Sequence, residues 1–187
     1  MLDTIISWDH SMTLAINQAY SATADHWMMV ISHKYTWIPL YAALLFILNK
    51  VFGWKRALVM LLFIALNVVL TDQISVFFKD SFLRLRPCHD PSLMDLLHLP
   101  DGCGGTYGFV SSHATNTMGL AVLIALLLRN RGITIAMLAF AVLNSYSRVY
   151  LGKHFVLDVI GGCLLGALLA YGVYLACIFV IKRYSIK

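Results

Sequence analysis

"SRVYLGKHFVLD", Ser147 to Asp158, sets an Arg, a Lys, a His and an Asp within twelve residues, between two apolar runs that are each long enough to cross a bilayer. Charge beside a membrane span is costly, so a cluster of this kind points to function. His154 and Asp158 are four residues apart. On a helix opening the second run they share a face, and the carboxylate can accept a proton from one ring nitrogen. That fixes the tautomer and leaves the other nitrogen free to attack an electrophile.

The chain around this stretch is a membrane chain. Of its 187 residues 60% are hydrophobic and 12% charged, a balance that excludes an ordinary soluble domain. Apolar runs at 27–49, 54–78, 108–128, 132–150 and 155–181 each approach the roughly 20 residues a helix needs to span the hydrocarbon. His33, Lys34 and Pro39 interrupt the first run, which reads as an interfacial segment joined to a shorter, tilted span. Residues 3–19 alternate apolar and polar positions at helical spacing, which predicts an interfacial helix within residues 1–24. The expected fold is all-α: a polytopic bundle of five to six helices with an N-terminal interfacial helix. No repeat, linker or low-complexity tract divides residues 1–187, so one domain is expected. The first residues lack the basic and apolar regions of a signal peptide, and none is expected.

Charge orients the spans. Lys50, Lys55, Arg56, Arg129, Arg131, Lys182, Arg183 and Lys187 fall at one end, eight of the 14 Lys and Arg, and the positive-inside rule makes that end cytoplasmic. Lys34, Lys79, Arg84, Arg86, Arg148, Lys153 and nearly every Asp fall at the other. The net charge of +5 is thereby explained without a nucleic-acid partner. Residues 80–106, with Pro87, Pro91, Pro100, Gly102, Gly104 and Gly105, become an extracytoplasmic loop. Cys88 and Cys103 both lie in it, on the side where the compartment can be oxidising, and are expected to form a disulfide. Cys163 and Cys177 read as apolar packing residues of the last span.

Alternating topology also gathers four separated segments at that outer end. Lys79 and Arg86 close the second span, Ser111, Ser112 and His113 open the third, Arg148 closes the fourth, and His154 and Asp158 open the fifth. Cations around a helix N-terminus form a pocket for phosphate. A second histidine, His113, can protonate a departing oxygen. No Cys/His set has zinc spacing, no carboxylates cluster for magnesium, and Glu is absent, so phosphoryl transfer is expected without metal or cofactor. Arg84 reads as an interfacial anchor that snorkels from a helix end. Trp27, Trp37, Tyr107 and Tyr150 read as interface anchors, and His10, His33, His89 and His98, which fit no motif, as surface or interface residues.

Three elements then stand out in order: "KDSFLRLRP" (Lys79 to Pro87), "VSSH" (Val110 to His113) and "SRVYLGKHFVLD". Together they resemble the three-part signature of the type 2 phosphatidic acid phosphatase superfamily, whose members include membrane lipid phosphatases, soluble acid phosphatases and vanadium haloperoxidases. The first and third elements match fully. The middle one has Val110 and Ser112 where the family pattern has Pro and Gly. The resemblance implies a phosphatase with His154 as nucleophile, Asp158 orienting it and His113 as general acid. Lys79, Arg86, Arg148, Ser111 and Ser112 would hold the phosphoryl oxygens. A lipid phosphate or diphosphate in the bilayer of a bacterial inner membrane, with the site facing the periplasm, is the implied substrate. Undecaprenyl diphosphate is favoured, because the loop leaves little room for a specificity domain; phosphatidylglycerophosphate, phosphatidic acid and lipid A phosphate are the alternatives. An anion transporter fits less well, since internal repeats are missing.

Overall fold

The structure is a computed structural model that describes residues 1–185. Seven α-helices are found among them: α1 (Leu2–Gln18), α2 (Ala22–Ser32), α3 (Ile38–Phe52), α4 (Trp54–Phe82), α5 (Ser112–Leu128), α6 (Arg131–Tyr150) and α7 (Val156–Arg183). Residues 34–52, α4, α6 and α7 are long and apolar enough to cross a membrane, whereas α5 is shorter at 17 residues. The all-helical membrane bundle expected from hydropathy is therefore present. The first apolar run is divided: α2 ends at Ser32, a single turn of 3-10 helix spans Lys34–Trp37, and α3 begins before Pro39, at the helix start where proline costs no hydrogen bond.

Alternation of the spans follows from the short connections. Gly53, with φ +79, lets α3 turn directly into α4. Arg129 and Arg131 flank the α5–α6 turn, where Asn130 caps α6 through a bond from Ile133 N–H to its side chain at 3.1 Å. Lys50, Lys55, Arg56, Arg129, Arg131, Lys182 and Arg183 thus share one end of the bundle; Lys187 lies outside the described residues.

Helix α5 is the axis of the bundle, packed between α4, α6 and α7. Leu120, Leu123 and Ile124 of α5 meet Leu44 and Leu48 of α3, Met137 and Phe140 of α6, and Val173 and Cys177 of α7 in one buried core. Glycines on α7 allow backbone-to-backbone approach to α5. A Cβ at Gly162 would stand 2.7 Å from the Ser111 carbonyl, and one at Gly166 would collide with the Thr115 carbonyl. Small residues at spacing four are the usual device for close helix contact in lipid, where apolar burial gives no drive to associate. Their consequence is register: the starts of α5 and α7 lie side by side, and Ser111 N–H donates to the Asp158 carbonyl at 3.0 Å. Large apolar side chains elsewhere, such as Phe46, Leu62, Phe77, Leu164 and Phe179, remain exposed as a lipid-facing surface requires.

The N-terminal helix departs from the expected interfacial pattern in one respect. Ile5, Ile6, Trp8 and Met12 face outward, while Asp9, Thr13 and Asn17, each four residues from the next, are fully buried. The polar stripe faces protein, and the apolar one is free to meet lipid.

Candidate active site

The four segments converge as expected. His154 is 2% exposed and Asp158 fully buried, with His154 Nδ1 3.4 Å from Asp158 Oδ2. That approach lacks the alignment of a hydrogen bond, and Nδ1 has no hydrogen-bond partner among the described residues. Asp158 is held elsewhere: Oδ2 accepts from Phe155 N–H at 3.1 Å, and Oδ1 accepts from Arg84 Nη1 at 2.7 Å. Gly108 passes so close that a Cβ there would be 2.6 Å from Asp158 Oδ2. Burial, and then the positive charges of Arg86, Arg148 and Lys79, hold the His154 imidazole well below its ordinary value of 6.5. The ring is therefore neutral near pH 7, the form that can attack phosphorus.

Around it stand the expected cations. Lys79 Nζ donates to Ser112 Oγ, which also lies 2.6 Å from Ser75 Oγ. Ser112, at the position where the family pattern has Gly, thus ties α4 to the start of α5. Arg86 Nε donates to the Tyr107 carbonyl at 3.0 Å, and its guanidinium lies against Gly104, where a Cβ would displace it. This contact belongs to a small seam in which Arg86 N–H donates to Thr106 O and Gly108 N–H to Arg84 O. The Cys88–Cys103 disulfide is present and closes the same two halves of the loop, with 5.9 Å between the Cα atoms. Arg148 is 8% exposed and its Nη1 donates to Ser32 Oγ, while its Nε has no partner among the described residues. Ser111 is fully buried and its Oγ is likewise unpartnered. Buried polar atoms without partners are rare in proteins. Three of them, on Ser111, Arg148 and His154, belong to this one site.

His113 occupies a different setting. It lines a cavity of about 490 Å³ together with Ser32, Lys34, Asn116, Thr117 and Asn144 near its polar end, and Leu44, Leu48, Leu61, Ile64 and Ile124 deeper in the bundle.

Several residues that matter here were not assigned a role from the sequence. Arg84 is no snorkelling anchor: it pairs with both Asp9 and Asp158, two fully buried carboxylates. Ser75 lies four residues before Lys79 on the same face of α4, a spacing legible in the sequence. Ser32 had no sequence signal. Tyr150, read as an interface anchor, is 2% exposed and donates to Asp25 at 2.8 Å, and His98 is stacked on Tyr20 and lies 2.8 Å from the other Asp25 oxygen. These contacts fasten α2 and the loop between α4 and α5 to the end of α6.

A model of the PAP2 superfamily matches residues 56–180, which hold all three sequence elements. The chain belongs to the PAP2 superfamily. Its relatives make it a phosphatase. It is 36% identical to the lipid A 4'-phosphatase of Bacteroides thetaiotaomicron over 89% of this chain and 75% of that protein. It is 33% identical to the lipid A 4'-phosphatase of Porphyromonas gingivalis over 98% and 78%. The undecaprenyl-diphosphatase of Sulfolobus acidocaldarius is 31% identical over 83% and 72%. Among solved structures, the transmembrane PAP2-type phosphatidylglycerolphosphate phosphatase from Bacillus subtilis superposes with a TM-score of 0.68 and 26% identity, covering 91% of this chain and 84% of that one. This PAP2 member is accordingly a bacterial-type membrane phosphatase.

Proposed function

We propose that the protein removes phosphate from an acylated lipid phosphate of the lipid A type, with His154 as nucleophile and His113 as general acid. The observation that carries this reading is the setting of the two histidines. One is enclosed by cations, and the other stands at the mouth of an apolar cavity that suits the lipid part of a leaving group. A neutral His154 nitrogen attacks phosphorus, and the bond from phosphorus to the lipid oxygen breaks as His113 gives that oxygen a proton. Water, deprotonated by His113, then cleaves the nitrogen–phosphorus bond, which releases inorganic phosphate and restores both rings. Asp158 lies beside Nδ1, so attack falls to Nε2. Lys79, Arg86, Arg148, Ser111 and Ser112 bind the phosphoryl oxygens and stabilise their charge as the bond to the lipid breaks.

Two amides support an acylated substrate over a polyprenyl one. Asn116 and Asn144 line the cavity about one helical turn below His113 and Arg148, roughly 5 Å deeper. Asn116 Oδ1 accepts from Thr71 and Asn144 Nδ2 donates to the Phe140 carbonyl at 2.9 Å, and among the described residues no hydrogen bond engages the Asn116 N–H groups or the Asn144 side-chain oxygen. Acyl linkages carry carbonyl and N–H or O–H groups at that depth, whereas a polyprenyl chain carries hydrocarbon. The relatives that cover most of this chain at 36% and 33% identity act on lipid A. Undecaprenyl diphosphate, favoured from loop length, is the second reading and draws support from the Sulfolobus relative.

The site faces the periplasm in this reading. Support comes from the basic residues at the opposite end and from the disulfide at the site's own end, a bond that persists in oxidising compartments. The test is phosphate release by purified protein in detergent from lipid A, phosphatidic acid, phosphatidylglycerophosphate and undecaprenyl diphosphate. Lipid A is expected to have the highest kcat/KM. Higher turnover of undecaprenyl diphosphate would replace the first reading by the second, and release from none of them would overturn both.

A further inference from the structure

Helix α1 reaches the centre of the site without contributing to phosphate binding. Asp9 Oδ2 pairs with Arg84 Nη2, whose other terminal nitrogen, Nη1, donates to Asp158 at 2.7 Å. Asp9 Oδ1 accepts from Leu157 N–H at 2.9 Å, and Thr13 Oγ1 accepts from Val156 N–H at 3.2 Å. With Phe155 N–H bound to Asp158, three successive amides at the start of α7 are satisfied by side chains, two of them from α1. Amides at a helix start have no partner within their own helix, and caps usually come from the residue just before it. Here a separate helix supplies them.

The shared guanidinium has a further consequence. Two fully buried carboxylates would be very costly without a cation, and Arg84 serves both. It also lies over the Phe155 ring at 4.3 Å, a favourable cation–aromatic contact, while His10 of α1 is stacked on the same ring at 4.9 Å. Phe155 directly follows His154. Phe155, and with it the peptide that carries His154, is therefore held by Arg84, which Asp9 anchors, and by His10, while Thr13 only caps the α7 amide of Val156. If the charge of Asp9 is removed, the side of Arg84 turned away from Asp158 loses its ion pair, and no other hydrogen bond to that nitrogen is found among the described residues.

We infer that Asp9 and Arg84 are positioning residues, and that α1 sets the working orientation of Asp158 and His154 through this one guanidinium. The inference rests on His154 as the nucleophile. It predicts an effect on turnover rather than on binding, because among the described residues no hydrogen bond or ion pair joins α1 to Lys79, Arg86 or Arg148.

The experiment compares Asp9→Asn, which keeps the shape and the acceptor for Leu157 but removes the charge, with Thr13→Val, which removes the neighbouring cap and no charge. Turnover of p-nitrophenyl phosphate by the full chain in detergent is measured, so that the result does not depend on the lipid, and thermal midpoints are recorded alongside. Asp9→Asn is expected to lower kcat by about 10- to 100-fold, the cost of misplacing a reacting group. KM stays within about threefold, and Thr13→Val leaves kcat within about threefold. Parallel loss of kcat in both variants, tracking their thermal midpoints, would reduce α1 to a brace and overturn the proposal. So would a parent-like kcat for Asp9→Asn beside an inactive His154→Ala. A His154→Ala protein that keeps its rate would remove the nucleophile assignment itself, and the proposal with it.

Discussion

The two histidines of the site differ in nearly everything but residue type. His154 is closed in, with cations around it, a carboxylate beside it and helix α1 clamping the peptide that carries it. His113 is half-buried, and apolar space runs beneath it into the bundle. The contrast follows from what each must do in the proposed reaction. A nucleophile gains from fixed geometry and from losing its hydration shell. A general acid must meet a leaving group that arrives and departs with a lipid attached, so it needs a rigid backbone on one side and open space on the other.

The strongest way to break this contrast is to remove each ring in turn. His154→Ala is expected to abolish phosphate release, a loss on the order of 10⁴–10⁶-fold by analogy with other covalent nucleophiles. Next in size, His113→Ala should slow a lipid phosphate by about 10²–10⁴-fold while slowing p-nitrophenyl phosphate far less, since that leaving group needs no proton. Equal losses on the two substrates would make His113 a phosphate ligand and dissolve the distinction. Steady-state kinetics of both variants on both substrates supplies the comparison.

Acidity sharpens the same contrast. Burial and neighbouring cations depress the His154 pKa, so its neutral, attacking form survives as pH falls through 6.5 and is lost only as pH falls through the lower, folded-state value. The acid limb of kcat/KM is accordingly expected below pH 6.5. A limb at or above that value would show that the ring is solvated or paired more strongly with Asp158.

On the cavity side the expected effects are smaller. Replacing Asn116 and Asn144 together by Leu removes two hydrogen-bonding groups of about 0.5–1.5 kcal/mol each, so selectivity for lipid A over undecaprenyl diphosphate should fall by roughly tenfold. Unchanged selectivity would make the two amides packing residues. The smallest effect on activity is expected from the loop that joins the two sides. Cys88→Ser with Cys103→Ser opens a loop of sequence separation 15, which the chain-entropy model values at about 3 kcal/mol. Chemical unfolding in detergent should register that loss, while kcat/KM changes little.

Much of this molecule was legible in the chain. Hydropathy revealed the spans, because a helix that must satisfy its own backbone in lipid needs a long apolar run. Alternation of those spans brought Lys79, Ser111, His113, Arg148 and His154 to one end, and the spacing of Lys79–Pro87, Val110–His113 and Ser147–Asp158 carried the three-part motif from which their proposed roles come. The Cys88–Cys103 bridge could be read from two thiols on one loop at the site's end of the bundle. What the chain alone determined, then, was whatever depends on spacing within a segment or on which side of the membrane a segment falls. Tertiary structure decided the rest. Asp9 and Arg84 are 75 residues apart, and Arg84 and Asp158 are 74 apart. Nothing in a local pattern tells a snorkelling arginine from one that pairs two buried carboxylates. Only the packing of α1 on the start of α7 brings those charges together, and burial then makes their pairing obligatory.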